Sequence, residues 1–337
     1  MDDFFTDALG DLLTGQCPPQ RVREIEAGQS AAPLWKQLEQ SGFADALVGE
    51  AQGGAGLTLA QAFPLLELCG SHAVPVPLAE TMFARGLLAA SDVSWPVGSI
   101  TFGQATVRPD GEIHCALVPC GRVADWALVT HGSEGLLLPV TEATSSPAVF
   151  PLDATLRWTA AAREGAERLR AELDVRSIQA CIYAALLAGA LMSVFSRTLQ
   201  YANDRQQFGR PIGKFQAIQH QLSVISEHTF AARMAAQIGC HSPGLAPDRL
   251  RVAVAKARTS EAALEVAALS HSIHGAIGFT EQFDLQLFTR RLHAWRQVAG
   301  SESYWHTVLG EELIGRGGLA LDLVCATTDS HRPEMLP

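Results

Sequence analysis

The sequence is short of the features that usually announce a chemistry. Its seven cysteines (Cys17, Cys69, Cys115, Cys120, Cys181, Cys240 and Cys325) are odd in number and scattered. The one close pair, Cys115 and Cys120, has no second pair to complete it, which excludes a zinc ribbon or a disulfide framework and fits reduced thiols in a cytoplasm. The eleven histidines never fall into an HExxH spacing, and no Gly-x-Ser-x-Gly elbow is present, so metal and serine-nucleophile chemistry are both disfavoured. Charge is scarce at 18%, and it is weighted to acid, with a net charge of -10. A nucleic-acid partner needs a basic face and is therefore not expected. The longest apolar run, Ala180 to Val194, is too short and too rich in Ala and Gly for a membrane span and reads as a buried helix. Met1-Asp2-Asp3 is acidic where a secretory leader needs a basic region, so no membrane or export is expected.

What the chain does have is apolar material. At 337 residues and 47% hydrophobic it can build a sizeable core, in roughly two or three domains by length. Residues 1–92 read as helices. Phe4, Phe5, Ala8, Leu9, Leu12 and Leu13 form one stripe, and Pro33 opens a second segment that closes near Gly42. Thr58 caps a helix over Leu59 to Cys69, and another runs from Ala79 to Ala90. Gly53-Gly54-Ala55-Gly56 lacks the Lys-Ser/Thr of a P-loop and is taken as a turn. In residues 93–170 short apolar runs alternate with turn signals (Pro109-Asp110-Gly111, Gly132-Ser133), the pattern of a small antiparallel barrel or sandwich. Residues 171–337 return to helical periodicity, with long stretches over Val175–Asp204, Lys214–Cys240, Asp248–His274 and Glu302–Gly315 that suggest a bundle. In the third stretch Lys256, Arg258 and Glu261 are placed off the apolar face. The tail past Val324 is polar, ends in Pro-Glu-Met-Leu-Pro and is expected to be mobile.

One stretch combines chemistry with a structural break. From Tyr201 to Gln221 a helix is interrupted by Gly209, Pro211 and Gly213. Arg205 and Phe208 stand at the break. A guanidinium fork and an aromatic ring suit a phosphate-bearing, flat-ringed ligand, although from the chemistry of these residues alone a helix corner with Arg205 in a salt bridge is the favoured reading. Three further places stand out. In Ser272-Ile-His-Gly-Ala-Ile-Gly-Phe279, Gly275 and Gly278 would let backbone NH groups approach a ligand, or simply end a helix. Arg290, Arg291, Trp295 and Arg296 form a basic aromatic strip, read as an interface or a solvated helix face. Finally, Glu302 follows a small-residue turn and is placed to cap the next helix.

These pieces together resemble the acyl-CoA dehydrogenase family over nearly the whole chain. Arg205-Gln-Gln-Phe-Gly-Arg-Pro-Ile-Gly-Lys-Phe-Gln216 is similar to the family's Arg-x-x-Phe-Gly-x-x-Ile-x-x-Phe-Gln. His274-Gly-Ala-Ile-Gly-Phe-Thr280 is similar to its His-Gly-Gly-x-Gly-Phe-Thr loop, and Gly53–Leu57 to the Gly-Gly-x-Gly turn of its N-terminal domain. The resemblance implies an α+β fold: an N-terminal helical domain (1–92), a reduced central β domain (93–170) and a C-terminal four-helix bundle (171–337). It implies FAD as cofactor. Arg205 would bind the pyrophosphate of a neighbouring subunit's FAD, and Phe208 would lie against that nucleotide. Gly275 and Gly278 would shape the loop that receives its adenosine diphosphate end, and Gln216 closes the motif and joins the cofactor-binding set.

The departures from the family pattern carry as much weight. The family's catalytic base is a glutamate in one of two layouts. Ungapped counting puts Ala299 in one slot and Gln179 in the other, and neither takes a proton near neutral pH. Glu302 is a displaced substitute three residues past the first slot. The Thr-Glu-Pro-x-x-Gly-Ser-Asp and Trp-Ile-Thr segments that face the flavin ring have no counterpart, Ser272 stands where Gln is usual, and Ala276 replaces the second Gly. This pattern resembles the short, base-less subunits of heterotetrameric acyl-CoA dehydrogenases acting on steroid side-chain CoA thioesters. It implies an α2β2 assembly with a longer partner that supplies the glutamate, one FAD shared per heterodimer, an acyl-CoA substrate and electron-transfer flavoprotein as acceptor. A homomeric enzyme using Glu302 and a non-catalytic scaffold are the other two readings.

Overall fold

In the computed structural model, residues 2–328 are described apart from 133, 170–172, 243 and 318. The Pro-Glu-Met-Leu-Pro tail, half of the Gly132-Ser133 turn and the expected 170/171 domain boundary lie outside the described residues. The chain opens with α1 (Asp2–Gln16), α2 (Pro19–Glu26), α3 (Ala32–Gln40), α4 (Leu59–Ser71) and α5 (Leu78–Ala90). Thr58 starts α4 with a reciprocal cap. Its hydroxyl accepts the Gln61 N–H at 3.3 Å, and the Gln61 side chain accepts the Thr58 N–H at 3.0 Å. The Gly53–Gly56 stretch is a turn, as its composition suggests. A Cβ on Gly54 would stand 2.2 Å from the Val48 carbonyl, so only glycine fits.

Seven strands follow: β1 (Ile100–Val107), β2 (Ile113–Val118), β3 (Trp126–His131), β4 (Glu134–Pro139), β5 (Thr144–Pro147), β6 (Ala154–Trp158) and, after the short α6 (Ala160–Gly165), β7 (Glu167–Leu169). Their order is β5-β6-β2-β1-β3-β4-β7. The sheet is mixed rather than wholly antiparallel. β1 turns back along β2 at one end and runs parallel to β3 at the other, pairing Ile100 with Trp126 and Gln104 with Thr130. A central β1 shared in this way cannot be read from turn spacing, which reports neighbours in sequence only. Period-two alternation then sorts the side chains. Phe102, Leu128 and Leu137 join the helical core, while Ala127, Val129, Leu136, Leu138 and Trp158 close a second core within the sheet.

The remaining helices are α7 (Val175–Asp204), α8 (Gln216–Gly239), α9 (Arg249–His274), α10 (Leu285–Trp295), α11 (Glu302–Arg316) and α12 (Ala320–Thr328). A hairpin of β8 (Gln206–Gln207) and β9 (Arg210–Pro211) joins α7 to α8. α10 packs against α7 and α9 and has no counterpart among the four stretches expected from periodicity. α7 is long and apolar enough to cross a membrane, yet 83% of its most apolar window is buried within the protein, and it forms the centre of the fold. It crosses α4 at backbone contact. A Cβ on Gly189 would lie 1.9 Å from the Glu67 carbonyl, and one on Gly70 would lie 2.0 Å from that of Leu186.

The Arg290–Trp295 strip is solvated only in part, with Arg290 exposed and Arg291 and Trp295 buried. Arg291 bridges to Glu26 on α2 at 2.6 Å, and Arg290 reaches the second oxygen of the same carboxylate at 2.6 Å. One nearly buried glutamate thus holds both arginines, one inside and one at the surface. Lys256 also departs from expectation, since it is buried completely. Its ammonium satisfies carbonyls that lie far away in sequence, which helical periodicity cannot register.

Candidate flavin end and ligand cavity

The C-terminal end of α7 forms one site. The helix stops because Arg205 takes an extended conformation, its N–H still bonded to the Tyr201 carbonyl at 2.8 Å. Phe208 and Gly209 then both adopt positive φ (52° and 79°) and make the tight turn of the hairpin. A left-handed Phe costs about 1–2 kcal/mol, and it leaves the ring 91% exposed, edge-on to Phe215 at 6.1 Å, where Arg210 covers Phe215 at 4.3 Å. Arg205 is exposed, and no ion pair among the described residues involves it, so the salt-bridge explanation finds no support. Tyr201 stacks on His274 at 4.3 Å and donates to its carbonyl at 3.4 Å. That contact brings Gly275 (φ 64°, open space around its α-carbon) to the same end. Gly278 is packed tightly, since a Cβ there would meet His274, His271 and Leu285 at 3.0–3.1 Å. Gln216, exposed, opens α8, whose N-terminus has no side-chain cap. The helix start leaves backbone donors open beside a free guanidinium and a bare ring. This donor set fits a dinucleotide pyrophosphate.

The second site is a cavity of about 710 Å³ between the sheet and the bundle. Gln179 on α7 and Ala299 in the α10–α11 turn both line it, so the two base slots counted from sequence meet in one space. Gln179 is buried and donates to the Phe102 carbonyl at 3.2 Å. Ala299 is left-handed (φ 59°), and Lys256 fastens the turn around it. Its ammonium donates to the carbonyls of Arg296 (2.8 Å) and Gly300 (3.1 Å) and to the Ser260 hydroxyl (3.1 Å). Burial pulls this amine down to about 7, although the Glu302 charge opposes the shift. Glu302 itself begins α11, is held by Arg296 at 2.5 Å and is not among the cavity-lining residues.

Two lining residues carried no sequence signal. Asp153 accepts the Cys120 N–H at 3.1 Å. Burial pushes its carboxyl up to about 7, aided by the charge of Glu80 and opposed first by the Cys120 N–H and then by Arg291. Arg176 donates to the Gln104 side-chain oxygen at 3.1 Å and lies over the Tyr304 ring at 4.8 Å, both neutral partners. The end of β2 offers little to a flavin ring. The Leu117 N–H points to the Thr155 hydroxyl at 3.4 Å, the Cys120 N–H is taken by Asp153, and Pro119 has no N–H. These three positions therefore offer a flavin ring no free N–H, in contrast to the open helix start at the Arg205 end.

The two sites lie at opposite ends of α7. Its 30 residues rise about 45 Å at 1.5 Å each, with Gln179 in the second turn and Arg205 just past the last.

Residues 163–314 match the family model described as acyl-CoA dehydrogenase, C-terminal domain. The acyl-CoA dehydrogenase IpdE2 of Mycobacterium tuberculosis is 31% identical over 305 residues, covering 88% of this chain and 92% of that protein. Among solved structures, the ChsE4-ChsE5 complex from Mycobacterium tuberculosis superposes with a TM-score of 0.80 at 20% identity, covering 94% of this chain and 98% of the other. A Tcur3481-Tcur3483 steroid ACAD variant reaches 0.79 at 23% identity, covering 94% and 99%. These two share the fold. The chain belongs to the acyl-CoA dehydrogenase family, whose members are FAD-dependent oxidoreductases acting on CH–CH bonds.

Proposed function

We propose that this chain is the base-less subunit of a heteromeric acyl-CoA dehydrogenase that introduces an α,β double bond into an acyl-CoA, with a steroid side-chain thioester as the substrate class. The carrying observation is that both base slots open into one cavity and hold Gln179 and Ala299, neither of which can accept a proton, while the Arg205 end stays unpaired and exposed. The longer partner supplies the glutamate in an α2β2 assembly. This chain contributes the Arg205 guanidinium and the α8 N-terminus to the pyrophosphate, the Phe208 ring to the nucleotide, and the Gly275–Gly278 turn, with Gln216, to the adenosine diphosphate end. When bound, FAD supplies the acceptor for the hydride leaving the β-carbon. Electron-transfer flavoprotein then reoxidises the assembly, in a cytoplasm suited to seven free thiols. The reported neighbours support the heteromeric reading, since one is a two-protein complex and the other a steroid ACAD named for two proteins.

The test is to purify the chain alone and co-expressed with its longer partner. The expected outcome is a colourless lone chain and a yellow, active complex that loses most of its FAD with Arg205→Ala. A lone chain holding stoichiometric FAD and oxidising acyl-CoA would overturn the reading. Glu302→Gln in the complex is expected to leave activity within about twofold, because that carboxylate is bound to Arg296 and is not among the cavity-lining residues. An isolated chain that oxidises acyl-CoA and loses that activity with Glu302→Gln would favour a homomeric enzyme with Glu302 as base, and FAD retained by the complex after Arg205→Ala would favour a scaffold.

A further inference from the structure

A subunit that performs no proton abstraction has no evident need for a chemical cavity, yet this one is open. Its volume of about 710 Å³ lies within the usual range of small-molecule sites, about 300–1,000 Å³. The base slots are not plugged by bulky side chains. One is Ala, and the turn that carries it is clamped by a buried lysine. Apolar groups dominate the walls and mouth. Phe102, Phe150 and Val298 line the inside, while Leu117 (65% exposed) and Val149 (fully exposed) stand at the mouth. Exposed apolar side chains gathered at a cavity mouth mark a surface meant to be covered.

The cavity wall carries two guanidiniums. Arg290 shares the single Glu26 carboxylate with Arg291, whereas half-buried Arg176 meets only neutral groups, the Gln104 amide oxygen and the ring and phenol of Tyr304, and forms no ion pair with a described carboxylate. Tyr304 in turn receives the Arg249 N–H at 3.0 Å, so it cannot offset the charge as a carboxylate would. A guanidinium without a counter-ion in a cavity wall is a fork for a carboxylate. With the end of β2 offering no free N–H at Leu117, Pro119 or Cys120, a flavin ring is the poorer occupant.

We propose that this cavity binds a bulky apolar carboxylate without turning it over, its acid group on Arg176 and its body against Phe102, Leu117, Phe150 and Val298. The proposal rests on the assignment of this chain as the base-less subunit, and it makes the chain a ligand-holding subunit as well as a contributor to the flavin site.

Isothermal titration of the purified full-length complex with cholate, below its micelle concentration, and with uncharged methyl cholate provides the test. Arg176→Leu is expected to weaken cholate by about ten- to a hundredfold, the size of one charge-assisted pair, and to leave methyl cholate within about twofold. Leu117→Asp is the second variant. Its position is exposed and left-handed (φ 51°), a conformation Asp tolerates better than Leu, so folding is not at stake. It is expected to weaken both ligands. Cholate that does not bind, cholate indifferent to both variants, or an equal loss of ester and acid with Arg176→Leu would overturn the proposal. Arg205→Ala separates this site from the flavin site, since it should remove flavin absorbance and leave cholate binding unchanged. Flavin retained with Arg205→Ala, while cholate still depends on Arg176, would refute the shared-flavin assignment and leave the carboxylate site standing.

Discussion

Asp153 holds a carboxyl group where burial favours its protonated form, and this has a thermodynamic sign. Its ordinary value is 3.8, and the folded protein raises it to about 7. The folded state therefore keeps the proton more tightly than the unfolded chain does. The group's contribution to stability is complete below about pH 4 and is lost as pH rises toward 7. Asp153→Asn keeps an oxygen for the Cys120 N–H and removes the penalty. It should stabilise the protein by about 1–3 kcal/mol at pH 8, with the advantage shrinking toward pH 5. Urea unfolding at the two pH values checks this, and an advantage equal at both would refute it. Lys256→Met should cost about 2–4 kcal/mol despite removing a buried charge, because it leaves the Gly300 carbonyl without its lysine donor and the Arg296 carbonyl with only the long Ser260 hydroxyl contact at 3.4 Å. At this scale the sequence was readable only where residues form a contiguous motif. Arg205, Phe208 and Gly275 could be named because spacing defines them. Asp153 and Arg176 could not, because their importance comes from a wall assembled out of β1, the end of β2, α7 and the α10–α11 turn. Lys256 was misplaced for the same reason, as its acceptors lie forty residues or more downstream.

Among the elements, α7 and α4 meet through their glycines, and the usual rule for glycine in a helix should reverse there. Gly→Ala in a free helix interior gains about 0.5–1 kcal/mol, and Gly310→Ala in α11, with nothing within 4 Å, should show that gain. Gly189→Ala should instead cost about 2–4 kcal/mol, since its methyl would overlap the Glu67 carbonyl and push the helices apart. Thermal unfolding of the two variants should move in opposite directions, and parallel shifts would mean that the crossing is looser than described. Helices with regular apolar periodicity, α7, α8, α9 and α11, were placed from sequence to within about two residues. α10 was missed because two of its arginines, Arg290 and Arg291, face a single glutamate on α2, and a charge strip read alone looks solvated. The Phe208–Gly209 hairpin was read as a bare break, since two-residue strands carry no periodicity.

For the molecule as a whole, the order of helices, sheet and bundle was legible because composition changes along the chain. The parallel pairing of β1 with β3 was not, since it joins segments that no local signal connects. Exposed apolar side chains recur on the bundle helices, with Leu199 on α7, Val224, Phe230 and Met234 on α8, and Leu264 on α9. Under the heteromeric assignment these surfaces are covered by partner chains. The lone chain should therefore self-associate in size-exclusion chromatography, and co-expression should replace that behaviour with a single defined complex. A monodisperse monomer would argue against it.

The length of α7 sets a rule of arithmetic for the assembly. Because Arg205 and Gln179 stand a helix-length apart, no single dinucleotide can use both, and each chain spends its two ends on different molecules. If only the Arg205 end of this chain takes flavin, the cofactor count follows the number of heterodimers rather than the number of polypeptides. An α2β2 particle should then release two flavins on denaturation, and any carboxylate counted in the Arg176 cavities would add to that number instead of competing with it.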